Sequence, residues 1–364
     1  LTLGVEIELQ LIDKHTLDLK PVALDVLKDI ADSPKIKPEI FQSMLEINTG
    51  ICADAHAAKT DLWQSMQLLG KTCAKHNVLL SSTGTHPFAK YSERIIYPAE
   101  RYQYLIDRNQ WIARRLMIFG MHIHLGMKDG DSCIRFNNFL LYFVPHIIAL
   151  TASSPFWQGE ETGLASSRST IFESCPTAGH PCRVKNWQEF SDLAAQMVEC
   201  KAINSLKDIW WDIRPSPEFG TIEIRACDGP ATLQETIAVV AFIHALAHWF
   251  DNHTEYEQEH PAPLMWIMRE NKWRATRHGM EALLIKDQGN TLISMRDDIS
   301  SWMERIWPYA EKLGYEQYWN DLKTIIIRGS SSERQLKLFT QTPSTQEVTR
   351  HNAQEFETGL PHYV

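Results

Sequence analysis

The chain has 364 residues but only seven cysteines, an odd number, and no two of them form a C-x-x-C pair. That argues against a disulfide framework and against a zinc knuckle; reduced thiols in a cytoplasmic protein are the default reading. No run of lysine and arginine interrupts a net charge of −9. Such a chain is poorly matched to duplex nucleic acid or to an anionic membrane, since both recruit proteins through basic patches. Long hydrophobic runs are missing as well. The run FLLYFVPHIIAL at residues 139–150 is too short for a bilayer and contains Pro145 and His146. No segment reads as a secretory leader. There is no GxxxxGK phosphate loop, no GxGxxG turn and no HExxH helix. A nucleotide would therefore have to bind without a glycine-rich cradle, and zinc has no ready ligand pattern. No internal repeat, low-complexity tract or linker divides the chain.

What is present is a large apolar fraction, 44% of residues, enough for a sizeable core. LTLGVEIELQLI alternates cleanly, with Leu3, Val5, Ile7, Leu9 and Leu11 on one face and Glu6, Glu8 and Gln10 on the other; it reads as a strand. QSMLEINT (42–49), Val78–Ser82, GMHIHLG (120–126) and two strands within 209–228 follow. Helices are predicted over 54–77 with Asp54 as cap, over 99–118, over 132–152 with a bend at Pro145, from Asn186 onward, and from Thr232 to about Asp251. Residues 153–185 are the least regular stretch and a candidate lid. The βαβ rhythm of a doubly wound sheet is absent. The expectation is one α+β domain over 1–364 with a mainly antiparallel sheet, sheet-rich to residue 230, mostly helical over 231–351, then a loose tail.

Four of these strands share one design. Glu6 and Glu8 point together, about 7 Å apart by the strand rise. Glu46 lies opposite Leu45 and Ile47; His122 and His124 share a face; Glu223 and Arg225 share a face with Thr221. An H-x-H alone is more often a polar outer face than a ligand pair. A solvated face, however, mixes lysine, threonine and paired charges. Here carboxylates crowd together, and crowded carboxylates repel unless a cation neutralises them. Mg²⁺ or Mn²⁺ suits an oxygen-rich set with an occasional imidazole. Arg225, Arg214 and Arg168 add positive charge, so metal plus arginine makes a polyanion site, most economically for ATP with Mg²⁺. Taken singly, each arginine could be a structural ion pair. His86 in GTHPF reads as either a substrate contact or a turn residue. Trp210 and Trp211 read as packing, and His244 with His248 as a core helix.

The stretches TLGVEIEL, SMLEINT, GTHPF, ERYQYL, FGMHIHLG, FVPHIIALTASSPFWQG, ASSR with STIF, and WWDIRPSPEFGTIEIRACD resemble, in that order, the carboxylate–amine ligase family labelled glutamate–cysteine ligase type 2, a relative of glutamine synthetase. The resemblance runs from residue 2 to about 250 and more weakly beyond. It implies a glutamine synthetase-like curved, mainly antiparallel sheet with helices on its outer face. It also implies ATP and Mg²⁺, with Mn²⁺ as the other fitting ion. The implied substrates are a glutamate-like carboxylate and a cysteine-like amine, joined through an acyl phosphate. Glu8 and Glu46 would hold a metal near the acyl substrate, and Glu6, His122 and Glu223 one near the phosphates. His124 would touch a phosphate, Arg225 and Arg214 would stabilise the transferring phosphoryl group, and Arg168 would meet a substrate carboxylate. Glutamine synthetase supplies more carboxylates where only Glu46 is legible, so the set reads as one ligand short. The rival readings are a guanidino-type phosphotransferase, a metal-dependent amide hydrolase, and a non-catalytic sensor of ATP or an amino acid. A homodimer is compatible with the sequence.

Overall fold

The alternation in LGVEIELQLID builds the longest strand of the molecule, β1 (Leu3–Asp13). The structure is a computed structural model that describes residues 1–30, 33–253, 255–256 and 263–363. Its main sheet has seven strands, the others being β2 (Ile36–Pro38), β3 (Met44–Asn48), β4 (Val78–Ser81), β5 (Gly120–Gly126), β6 (Ile213–Ser216) and β7 (Thr221–Asp228). They lie in the order β6-β7-β5-β1-β3-β2, and β4 pairs with Gln10–Asp13 of β1. Every pairing is antiparallel, as the sequence led one to expect.

Period-two alternation then sorts the two faces. Leu3, Val5, Ile7 and Leu9 of β1, Met121, Ile123 and Leu125 of β5, and Ile222 and Ile224 of β7 all enter one buried apolar cluster. The helices Ala55–Lys75, Gly130–Leu140, Val144–Thr151 and Leu233–Asp251 contribute to the same cluster. Each fully buried aliphatic side chain there contributes about 1.5–3 kcal/mol, so the apolar face is what fixes the sheet against the helices. The last of these helices is long and apolar enough to cross a membrane, yet 89% of its apolar stretch is buried inside the protein. Its start is set by Thr232, whose Oγ1 accepts from the Glu235 amide at 3.1 Å and donates to the Glu235 carboxylate at 2.8 Å. Asp54 and Asn186 cap their helices in the same way, through the Ala57 and Glu189 amides.

Several boundaries differ from the sequence reading. The helix expected over 99–118 breaks into Glu100–Asn109 and Trp111–Arg114, because Gln110 takes a positive φ of 50°. The helix expected over 132–152 is two helices bent by 66°, with Pro145 in the first turn of the second, where its missing amide costs no hydrogen bond. Within 153–185 lies the helix Ser167–Glu173, capped by Ser166. A hairpin, Leu283–Lys286 with Thr291–Ser294, interrupts the helical remainder. The tail is not loose: the final helix runs Thr345–Thr358 and closes on Gly359 in the left-handed region.

The C-terminal helices are tied to the core by one buried cation. Arg334 donates to Glu235 at 2.7 and 3.0 Å and to Glu355 at 2.8 Å. Removing it leaves two buried carboxylates without their counter-charge. Arg334→Met is expected to lower stability by about 3–5 kcal/mol, read as a reduced urea midpoint; an unchanged midpoint would show that the triad contributes nothing net.

Candidate active site

The face opposite the helices is a cleft of about 570 Å³. Cross-strand register assembles its polar rows. Arg214 of β6 faces Glu223 of β7, and Glu223 faces His124 of β5. His122 of β5 faces Glu6 of β1; Glu8 of β1 faces Glu46 of β3, and Glu46 faces Lys37 of β2. Between Ile224 and Cys227 the β7 register slips by a bulge, which bends the strand at Arg225. The Arg225 amide keeps the β6 register, donating to the Asp212 carbonyl at 2.8 Å. Its guanidinium reaches Glu223, which also accepts from Arg214 Nε at 3.0 Å.

Three groups of side chains converge closely enough to share an ion, each with ligand atoms within 4.8 Å of one another: Glu6, Glu46 and His122; Glu6, His124 and Glu223; and Glu8, Glu39 and Glu46. His122 Nδ1 lies 3.2 Å from Glu6 and 3.8 Å from Glu223. His124 Nε2 lies 3.6 Å from Glu6, while its Nδ1 meets the Thr221 hydroxyl at 2.9 Å. Nine of the ten residues singled out in the sequence therefore line this cleft: Glu6, Glu8, Glu46, His122, His124, Arg168, Arg214, Glu223 and Arg225.

The tenth, His86, does not. It is fully buried in its turn; Nε2 pairs with the Leu17 carbonyl at 2.9 Å, and Nδ1 accepts from the Phe88 and Ala89 amides. With both ring nitrogens taken by backbone, His86 is a turn residue and not a cleft residue. His244 is likewise a core histidine, held by Tyr315 and the Leu1 carbonyl. Trp211 packs in a satellite core, as expected. Trp210, read as packing, also lines the cleft, with its ring stacked on Phe172 at 5.8 Å.

Glu39 is the carboxylate that the sequence reading missed. It sits one residue beyond a three-residue strand that ends in Pro38, too short a run to show alternation. Lys37 and Arg101 line the cleft beside it and were also missed.

Charge is distributed unevenly. Burial, then the nearby charge of Glu8, pushes Glu39 up to about 8. Burial, followed by Glu39 and Glu6, raises Glu46 well above the carboxylate range. At the other end burial is outweighed. Arg225 and Arg214 bring Glu223 down to about 2, and hydrogen bonds from His122 and His124 hold Glu6 below its usual value. At the Glu8–Glu39–Glu46 end Arg101 and Lys37 offset the carboxylates only in part, and a hard divalent cation is the species whose chemistry fits the remainder.

The profile of glutamate–cysteine ligase family 2 matches residues 2–353. The chain belongs to that family. A candidate glutamate–cysteine ligase 2 of Bdellovibrio bacteriovorus is 46% identical over 360 residues, 99% of this chain and 95% of that protein. One from Thermobifida fusca is 38% identical over 366 residues, 99% of this chain and 92% of that protein. Among solved structures, a glutamate–cysteine ligase of Francisella tularensis in complex with AMP superposes with TM-score 0.68 at 11% identity, covering 98% of this chain and 89% of that one. A bifunctional glutathione synthetase of Pasteurella multocida gives 0.69 at 14% identity; the fit covers 98% of this chain but only 52% of that larger protein. These likenesses establish the glutamine synthetase-like fold. As a family member the chain is an ATP-dependent ligase that joins a small-molecule carboxylate to an amine in a C–N bond.

One glycine of this ligase is dictated by the cleft. A Cβ on Gly120 would overlap the Arg168 guanidinium. Gly120→Ala is expected to lower ATP-dependent turnover by roughly ten-fold or more with an unaltered far-UV circular dichroism spectrum; wild-type turnover would show that Arg168 need not occupy this position.

Proposed function

We propose that the ligase activates a glutamate-like carboxylate with ATP and passes the acyl group to a cysteine-like amine. The observation that carries this reading is the paired arrangement in one cleft: an under-compensated carboxylate cluster at one end and an arginine-rich cluster at the other. In this reading Glu8, Glu39 and Glu46 hold one divalent cation, and Glu6, His122 and Glu223 hold another, with His124 beside them. Bound there, Mg²⁺ or Mn²⁺ supplies Lewis-acid neutralisation of phosphate and carboxylate oxygens.

The rest is carried by the protein's own groups. Arg168 binds a carboxylate of the acyl substrate and aligns it. The reacting carboxylate oxygen attacks the γ-phosphorus in line; the bond to the β-phosphate oxygen breaks, giving ADP and an acyl phosphate. Arg225 and Arg214 offset charge on the equatorial oxygens as it shifts. The amine then adds to the acyl carbon, its proton passes to the departing phosphate or a nearby carboxylate, and phosphate leaves as the amide forms. Glu223 fixes both arginines, so their donors are arranged before the substrate arrives. Glu46 belongs to the same machinery through its place between the two carboxylate groups. The reading takes the chain as one catalytic unit of the cytoplasm; its seven cysteines are all free thiols.

The test is ADP release from Mg-ATP with L-glutamate, with and without L-cysteine, and products identified by mass. Amine-dependent ADP release with a dipeptide product is expected. A phosphorylated acceptor, or amide hydrolysis without ATP, would replace the reading with a phosphotransferase or a hydrolase. Glu223→Ala and His122→Ala are each expected to lower turnover by about 10²–10³-fold or more while the fold is retained. Chelation by EDTA is expected to stop turnover, with recovery on adding Mg²⁺; full activity in excess EDTA would remove the metal assignment.

A further inference from the structure

Arg168 is an unusual buried cation. It is 2% exposed and lines the cleft, yet among the described residues no carboxylate lies within ion-pair distance of it. Among the described residues the guanidinium makes two long hydrogen-bonded contacts, 3.5 Å each, to the Arg225 carbonyl, and Nε has no partner. The Phe172 ring lies under it at 5.4 Å. Most of the guanidinium's donor capacity is therefore unused by the described residues.

What holds the arginine there comes from behind. Asp228, at the end of β7 and 1% exposed, is cross-strand partner to Gly120. Its Oδ2 accepts from the Ser154 hydroxyl at 2.7 Å and the Ser153 amide at 3.0 Å, and its Oδ1 accepts from the Ser166 hydroxyl at 2.7 Å. Ser166 is the residue that caps the helix Ser167–Glu173, through the Ser169 amide. Ser154 Oγ in turn accepts the Arg168 amide at 3.1 Å. Gly84 makes room for the carboxylate: a Cβ there would lie 2.7 Å from it. Both serines that meet Asp228 through their hydroxyls thus also grip the first turn of the helix that carries Arg168.

We propose that Asp228 is a positioning residue for Arg168, acting through the hydroxyls of Ser154 and Ser166. Its negative charge balances the arginine inside the protein without occupying the guanidinium fork. A direct salt bridge would fill the donors that a substrate carboxylate needs. Relaying the contact through two hydroxyls sets the backbone position and leaves the fork free. The inference rests on the reading that Arg168 meets the carboxylate substrate.

The test has a structural and a kinetic arm. Crystal structures of the wild type, Ser154→Ala and Asp228→Asn report the guanidinium directly. A displaced or disordered guanidinium over Phe172 is expected in both variants; an unmoved one overturns the proposal whatever the substrate proves to be. In the L-glutamate and L-cysteine assay, Ser154→Ala and Asp228→Asn are expected to raise KM for glutamate roughly ten-fold and to leave KM for ATP unchanged. Ser166→Thr, which keeps the capping hydroxyl, is expected to behave as wild type where Ser166→Ala does not. In an Arg168→Met background, Ser154→Ala should add nothing further. If Arg168→Met leaves KM for glutamate unchanged, the substrate assignment of Arg168 fails. If it raises KM but the serine and aspartate variants do not, or if their effects multiply with it, the assignment stands and the positioning role fails. Should Asp228→Asn not fold, Ser154→Ala decides alone.

Discussion

Like charges gathered in a partly dry cleft repel one another, and this repulsion is the constraint that the rest of the molecule answers. Glu6, Glu8 and Glu46 share one face of the sheet, and Glu39 joins them from the end of β2. The opposite face holds the sheet in place by being apolar, and its side chains merge with those of the surrounding helices into one buried cluster. On the carboxylate side the helices Glu100–Asn109 and Ser167–Glu173 line a cleft where a packed apolar layer would leave the carboxylates without water or counter-ion. The open polar face and the closed apolar face are two consequences of one alternating sequence.

Compensation is fuller at one end of the cleft than at the other. Around Glu223 the protein brings its own cations, Arg214 and Arg225, and both histidines lie close to Glu6. Around Glu39 and Glu46 it brings less, Arg101 beside Glu39 and Lys37 opposite Glu46, and burial pushes both carboxyls upward. A ligase that must bring a polyphosphate and a carboxylate together has reason for this division. In the proposed reading the fixed arginines face the phosphates, while the carboxylate-rich end takes the divalent cation nearer the acyl substrate. The bulge after Ile224 belongs to the same arrangement, since it bends β7 where Arg225 meets Glu223.

Period-two strands were legible in the sequence because both of their faces are strict. VEIEL, MLEIN, MHIHL and TIEIR each display apolar residues on one side and ligand-type residues on the other, and nine cleft residues followed from that pattern alone or with the family resemblance. What was not legible depends on contacts far apart in the chain or on single backbone torsions. Glu39 hides behind a strand of three residues. His86 looked equally able to bind a substrate, and only the fold shows both of its nitrogens engaged by Leu17 and its own turn. The helix break at Gln110 rests on one positive φ. Asp228 gave no signal at all, because its partners lie 62 to 75 residues away.

The pairing of β1 also governs how the chain can acquire its shape. That strand is bonded to residues 44–48, 78–81 and 120–126, and β5 in turn to β7 at 221–228. Few of these contacts are local, so loop-closure entropy must be overcome repeatedly before the sheet rewards it, and such topologies fold slowly. During synthesis the acidic strands emerge well before Arg214 and Arg225. The nascent chain therefore carries a half-built, unpaired row of glutamates through much of translation. Because the native register sets Glu8 directly opposite Glu46, pairing β1 with β3 before the arginine strands are made works against like-charge repulsion.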